Sequence, residues 1–274
     1  MLKNLLEKDR RLRIDHKKLL NCGYNNHDLF KVIDGYLNDF ATYNNLSIDE
    51  ILKRYNKFLL GYSKDIENFL STGKYPYLLE ENILVKRTDY DISLILSTVL
   101  TNHRFRIMDN FFKYGSVING KVLIIGLGSG IELEILSCSS NEKEIDAYDI
   151  SVTEFVKNRF KKTLNIVEGE FKGNDAFYDY IIALELLEHL DNPYPFLSMC
   201  FNSLKNEGTL VTTTATDVPQ FDHLYNFNDD NVFSEEIYNL GFIELQKEDI
   251  EHNYMNKSIN AKNTWYVLKK DINR

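Results

Sequence analysis

Two periodicities divide the chain. Up to about residue 115, apolar positions recur every three or four residues, the spacing of one helix face. The clearest run extends from Ser47 to Thr72, where Ile48, Ile51, Leu52, Tyr55, Phe58, Leu59, Tyr62, Ile66, Phe69 and Leu70 fall on one side. Ser47 and Glu50 have the spacing of a capping box, in which each side chain satisfies a free amide at the helix start. Gly73 and Pro76 end the run. A second long helix is predicted from Tyr90 to Phe112, with Ile92, Leu94, Ile95, Val99, Phe105, Ile107 and Met108 buried, and shorter helices near 2–20 and 27–40. After Gly120 the pattern changes to short β-rich runs: Lys121–Ile125, Glu144–Asp149, Leu164–Val167, Tyr178–Leu184, Thr209–Thr214, Phe242–Gln246 and Thr264–Leu268. Helical patterns near 130–138, 151–161, 193–204 and 234–240 separate them, and Ser151 with Glu154 repeats the capping-box spacing. The run Lys-Val-Leu-Ile-Ile is apolar on both faces, as in a central parallel strand. This alternation predicts an α/β fold with a doubly wound seven-stranded sheet, mostly parallel with an antiparallel edge strand. A helical N-terminal extension precedes it, so the chain divides into residues 1–114 and 115–274.

With 274 residues, 43% of them hydrophobic, and only four prolines, the chain can bury a large core and shows no linker between tethered bodies. The net charge of −9 comes without a block of like charge. The basic residues around Lys8–Lys18 read as a solvated helix face, so no nucleic-acid partner is expected. The acidic balance leans toward a neutral or cationic substrate. Cys22, Cys138 and Cys200 are too far apart for a metal-ligand pattern and too few for a disulfide framework. Cys138 and Cys200 read as core thiols, and no metal site is expected. The N-terminus is too charged for a secretory signal and no apolar run reaches spanning length, so the expected location is cytoplasmic with no membrane partner.

The chemistry concentrates around one loop. Residues 122–130 read Val-Leu-Ile-Ile-Gly126-Leu-Gly128-Ser-Gly130. A strand followed by a glycine turn and a helix start lets a ligand approach the backbone closely. Asp149 ends the next strand about 20 residues on, where a carboxylate can accept hydrogen bonds from ribose hydroxyls. The alternative is that it caps the following helix, a role Ser151 also fits. A dinucleotide site wants Gly or Ala where Ile131 stands, which argues against a nicotinamide-dependent oxidoreductase.

VLIIGLGSG, AYDIS, YDYIIALELLEHLDNP and SLKNEGTLVTTT, in this order and spacing, resemble the class I S-adenosylmethionine-dependent methyltransferases, over roughly residues 115–270. The resemblance implies a Rossmann-like domain with S-adenosyl-L-methionine as cofactor and S-adenosyl-L-homocysteine as product. It implies that Gly126, Gly128 and Gly130 cradle the methionine portion and that Asp149 holds the ribose. Ile150, Glu170 and Phe171 then border the adenine, and Leu184 and Glu185 open onto the site. Many members carry an acid two residues before the first glycine, where this chain has Ile124. The cofactor's methionine end then needs another partner. Arg87 or Arg104 could pair with its carboxylate; the alternative for each is a surface position or an ion pair with Asp89 or Asp91.

A sulfonium methyl is already activated, so the protein must align the acceptor, exclude water and leave it a free lone pair. His189 and His223 follow the fourth and fifth strands, at the sheet edge where ligands bind in open α/β folds. Each is a candidate for proton transfer or substrate contact, or else holds its own turn. Tyr90, Glu185, Asp217 and Asp222 are candidates for binding the acceptor, although the two aspartates could equally shape their loop. The helical extension reads as a lid, which suits an enclosed site and a small molecule or short peptide. The leading expectation is an N- or O-methyltransferase of the natural-product type, with an oxidoreductase or a non-catalytic scaffold as alternatives.

Overall fold

The computed structural model describes residues 1–75, 87–161, 164–252 and 260–271. The sheet is built from β1 (Gly120–Ile125), β2 (Lys143–Asp149), β3 (Asn165–Glu168), β4 (Tyr178–Ala183), β5 (Leu204–Thr216), β6 (Phe242–Glu251) and β7 (Lys262–Lys270). Its order is β3-β2-β1-β4-β5-β7-β6. The first five strands run parallel, and β7 pairs antiparallel with both β5 and β6. β6 and β7 therefore form an antiparallel hairpin at the sheet's edge, with its second strand turned inward against β5.

Strand alternation sorts the core into two layers. Val122, Ile124, Ala147, Ile182, Val211 and Val267 face one side and share a single apolar cluster with the N-terminal helices. Leu123, Ile125, Ile181, Ala183, Leu210 and Leu268 face the other, with residues of α9 (Tyr194–Ser203) and α10 (Asp230–Leu240). Ile124 is 1% exposed in the first layer. An acid at that position would enter an apolar layer and would need a partner there.

The N-terminal segment is helical, as expected, but two of its predicted runs are each broken into two helices. The first pattern divides into α1 (Leu2–Lys8) and α2 (Arg10–Asn21). Asp9 is extended between them, and its carboxylate caps the amides of Arg11 and Leu12 at 2.8 and 3.1 Å. After α3 (His27–Tyr43) comes α4 (Ile48–Thr72), which opens on the Ser47–Glu50 capping box and closes on Gly73 in the left-handed region. Pro76, the other stop signal, lies outside the described residues.

The run predicted from Tyr90 to Phe112 is two helices, α5 (Arg87–Leu100) and α6 (Asn102–Tyr114). Thr101 separates them with an extended backbone, φ −121° and ψ 144°. The break lets α5 pack on α2, α3 and α4 while α6 turns onto α7 (Ile131–Ser137), β6 and β7. Ser151 does not cap the next helix, α8 (Glu154–Phe160). Thr153 does, its hydroxyl accepting from the Val156 amide at 3.4 Å, while the Ser151 amide donates to Asp149. Cys138 is exposed rather than in the core, and Cys200 is buried. Among the described residues, no helix is long and apolar enough to cross a membrane.

Candidate active site

The carboxyl ends of the parallel strands form the floor of a cavity of about 1220 Å³, and α2, α4, α5 and the start of α6 form its roof. Single-ligand pockets run to about 1,000 Å³, so this space suits two ligands side by side. One half lies over β1, β2 and the turn after β3. The other lies over the turns after β4 and β5.

In the first half, Gly126 and Gly128 line the cavity with positive φ. A Cβ on Gly128 would sit 3.0 Å from Leu94 and enter the space a ligand would use. Gly130 is not in the lining. Its φ is +80°, and a Cβ there would lie 2.7 Å from the Tyr36 hydroxyl and 2.9 Å from Val156. A side chain there has no room between α3 and α8. Helices of the N-terminal segment hold the loop's carbonyls: Tyr36 donates to Ser129 O and Arg87 to Gly128 O, both at 2.5 Å.

Asp149 ends β2 in the cavity wall. One carboxylate oxygen accepts from the Gly128 amide at 3.1 Å and the other from the Ser151 amide at 2.8 Å. A carboxylate has about four acceptor positions, so two remain for hydroxyl groups. Ile150 beside it is 76% exposed, an apolar side chain left bare at the cavity wall. Glu170 and Phe171 complete this end, with the Phe171 ring edge-on to Tyr148 at 5.1 Å.

The two arginines are both in the lining and both already paired. Arg87 faces Asp91 at 3.1 Å, whereas Asp89 is taken by Arg54 at 2.7 Å. Arg104 lies between Glu132 at 3.5 Å and Glu185 at 3.6 Å, with all three largely buried. Thr101 directs Arg104 here by ending α5. Burial lifts the Asp91 carboxyl to about 7, against the pull of Arg87. A folded-state value above the unfolded one means the proton is held more tightly in the native protein. That contribution is complete below pH 4 and is lost as pH rises through 7. Asp91→Asn cannot ionise, so it should compare better with the parent at pH 8 than at pH 5, by on the order of 2 kcal/mol. Urea unfolding at the two pH values measures this, and an equal difference at both would rule out the shift.

The second half centres on Leu184, Glu185 and the turn that follows. Glu185 has φ 51°, an unfavourable conformation for a non-glycine residue. It is held there by its amide donating to Thr213 Oγ1 at 2.7 Å, with Thr213 and Asn263 donating to its carboxylate at 3.0 and 2.8 Å. A 3-10 turn, Leu187–His189, then carries Glu188 and His189. The loop after β5 folds over this turn, as the Leu224 and Tyr225 amides donate to Glu188 O at 2.7 and 3.0 Å.

His189 Nδ1 lies 2.9 Å from Asp222 O and His223 Nδ1 2.8 Å from Val218 O. A carbonyl can only accept, so each Nδ1 carries a proton, and in the neutral ring Nε2 is the acceptor. The rings meet edge to face at 4.8 Å. Burial pulls His223 down to about 3. Burial would also lower His189, but the Asp222 and Glu188 carboxylates outweigh it and raise it. Burial and Glu185 push Glu188 well above the ordinary carboxylate range. Asp222 accepts from the Tyr90 hydroxyl at 2.9 Å, which ties α5 to the loop.

Asp217 is not brought to the cavity. Its carboxylate accepts from Asn226 at 2.8 Å, and the Asn226 side chain accepts from its amide at 2.9 Å. It shapes the loop, the second of the two roles its position allowed. Sequence reasoning missed Glu132, Glu188 and Asn263. Two glutamates three apart in an apolar stretch, Leu184-Glu185-Leu186-Leu187-Glu188, were the available signal for Glu188.

Comparison with known proteins identifies the family and the fold. A family described as a methyltransferase domain matches residues 99–261. The mitochondrial ubiquinone biosynthesis O-methyltransferase of Schizosaccharomyces pombe is 25% identical over 135 residues, which are 46% of this chain and 49% of that protein. The chain thus matches about half the length of this curated relative. Phosphoethanolamine N-methyltransferase 2 of Haemonchus contortus, solved with S-adenosyl-L-methionine, superposes with a TM-score of 0.55 at 11% identity, over 69% of this chain and 59% of that one. The same enzyme with phosphomonomethylethanolamine and S-adenosylhomocysteine gives 0.51 at 11% identity, over 66% and 57%. These two show a shared fold. With the family matched over more than half its length, the chain belongs to the methyltransferase-domain family, in the class I S-adenosylmethionine-dependent group.

Proposed function

We propose that this protein transfers a methyl group from S-adenosyl-L-methionine to a nitrogen or oxygen of a small molecule or short peptide, as in natural-product biosynthesis. The observation that carries the reading is the two-part cavity, with the ribose-type acid and glycine loop in one half and paired histidines in the other. The residues fit the cofactor. Asp149 keeps acceptor positions for the ribose, Ile150, Glu170 and Phe171 flank the adenine, and Gly126 and Gly128 leave room for the methionine portion. Arg104 and Arg87 suit its carboxylate. Glu132 supplies a carboxylate for its amino group that Ile124 cannot. When bound, the cofactor supplies an activated methyl.

The chain's own part is to seat the acceptor and manage its proton. Tyr55, Phe58, Tyr62 and Ile66 of α4 give the roof an apolar wall, which suits an acceptor with an apolar body. His189 or His223, with Nε2 as acceptor, can take a proton from a hydroxyl or ammonium group, and Asp222 fixes the His189 ring. The N-terminal helices act as the cover that excludes water. Three unpaired cysteines suit a reducing, cytoplasmic setting.

The test is calorimetric titration with S-adenosyl-L-homocysteine, with NADH as control. Binding of the first alone supports the reading, whereas binding of NADH alone would sink it in favour of an oxidoreductase. Binding of neither leaves the scaffold alternative. His189→Ala and His223→Ala should keep the homocysteine product's affinity within about threefold and slow methyl transfer by 10²–10⁴, the range for a lost acid–base group. Normal turnover in both would return these histidines to turn-holding roles.

A further inference from the structure

We propose that Glu188, His189 and His223 form a binding site for one divalent transition-metal ion, such as Zn²⁺ or Fe²⁺, at the acceptor end of the cavity. One donor atom from each of the three lies within 4.8 Å of the others. Ligands 2.0–2.2 Å from a tetrahedral ion stand about 3.3–3.6 Å apart, so the donors need close by at most about 1.5 Å.

Three further observations point to an ion rather than to chance proximity. Glu188 is 1% exposed, and its Oε2 is buried with no hydrogen-bond partner. A carboxylate oxygen sealed from water without a donor is costly, and an ion beside it removes that cost. Both histidines donate Nδ1–H to a backbone carbonyl. This outer hydrogen bond sets the tautomer in most metal-binding histidines and presents Nε2 to the ion. The mount is rigid as well, because the Glu188 carbonyl accepts two amides from the loop that carries His223. The ligands on the two segments are thus set relative to each other before any ion arrives.

The donor set selects the ion. Two imidazoles and one carboxylate suit Zn²⁺, Fe²⁺, Mn²⁺ or Co²⁺, whereas Ca²⁺ and Mg²⁺ favour oxygen ligands. All three side chains line the cavity, so the ion's remaining positions face the space where an acceptor would sit. An ion there would lower the pKa of a coordinated hydroxyl, and because it would occupy both histidine Nε2 atoms, the released proton would pass to solvent rather than to either ring. The ion-binding site stands apart from the methyl-transfer reading, since it is measured without cofactor or acceptor.

The full-length chain, stripped with chelator, is titrated with Co²⁺ and Zn²⁺ by calorimetry, and Co²⁺ binding is followed by its visible d–d absorption. Mg²⁺ and Ca²⁺ serve as comparisons. One equivalent of Co²⁺ or Zn²⁺ per chain is expected. His223→Ala and Glu188→Gln should each weaken it at least 100-fold and abolish the absorption band. Exposed His27→Ala should change nothing. Thermal unfolding, measured alongside, reports that the variants are folded. Should Glu188→Gln fail that check, His189→Ala and His223→Ala carry the test. No stoichiometric binding, or binding that survives all the variants, overturns the proposal. If S-adenosyl-L-homocysteine fails to bind the parent while the metal binds, the methyltransferase reading fails and the metal site stands.

Discussion

Asp149→Ala should weaken S-adenosyl-L-homocysteine binding by 10²-fold or more while the protein stays folded. The carboxylate has two acceptor positions beyond those used by the Gly128 and Ser151 amides. Two hydroxyl groups donating to a charged acceptor contribute about 1.5–3 kcal/mol each, and about 1.4 kcal/mol corresponds to a factor of ten. The substitution also frees the Gly128 amide, so part of the loss comes from a looser loop. Asp149→Asn separates the two contributions. It keeps the side chain's shape but presents an NH2 group to one of two backbone donors, and it removes the charge. If ribose recognition dominates, Asn should bind nearly as poorly as Ala. If the residue only braces the turn, both variants should bind normally and lose about 1 kcal/mol of stability. Calorimetry for affinity and thermal unfolding for stability, run on both variants, decide between them.

What could be read from the sequence was whatever depends on neighbours in the chain. β1 follows from a two-faced apolar run, the Ser47 cap from a four-residue spacing, and Asp149 from its place at the end of a strand. What was hidden depends on residues that meet only in the fold. Gly130 looks like the other loop glycines, yet its place is set by Tyr36, 94 positions earlier, which has folded against it. Apolar spacing carries through Thr101 without interruption, so the break that sends Arg104 into the cavity is invisible in a periodicity. Glu188 is next to His189 in sequence, but its burial comes from the loop after β5 closing over the turn. Ser151 has the right partner spacing to be a cap, but the helix begins at Glu154 and Thr153 caps it. The N-terminal helices supply the roof of the cavity and the donors for two glycine-loop carbonyls. Their contribution to the site therefore lies in contacts across the chain that no local pattern encodes.

The largest loss of stability is expected at Arg104, which is 5% exposed and lies between two acids. Arg104→Leu removes the one cation within ion-pair range of Glu132 among the described residues. Breaking a buried ion pair from one side costs about 3–5 kcal/mol, because the remaining charge loses its partner but not its burial. Burial already raises Glu132 above its ordinary value, with Arg104 the main influence holding it down. Without the arginine that value should rise further. The variant should hold its proton in the folded state and be less destabilised at pH 5 than at pH 8, as the sign of a raised carboxyl requires. The double variant Arg104→Leu/Glu132→Leu tests the cause. If an uncompensated carboxylate is responsible, removing it should restore part of the stability and flatten the pH dependence. If the loss comes from the arginine's packing alone, the second substitution should restore nothing. Cofactor affinity gives the functional half. Restored stability with S-adenosyl-L-homocysteine binding still absent would place Arg104 and Glu132 at the methionine end of the cofactor, while restored binding would confine them to holding α6 against the sheet.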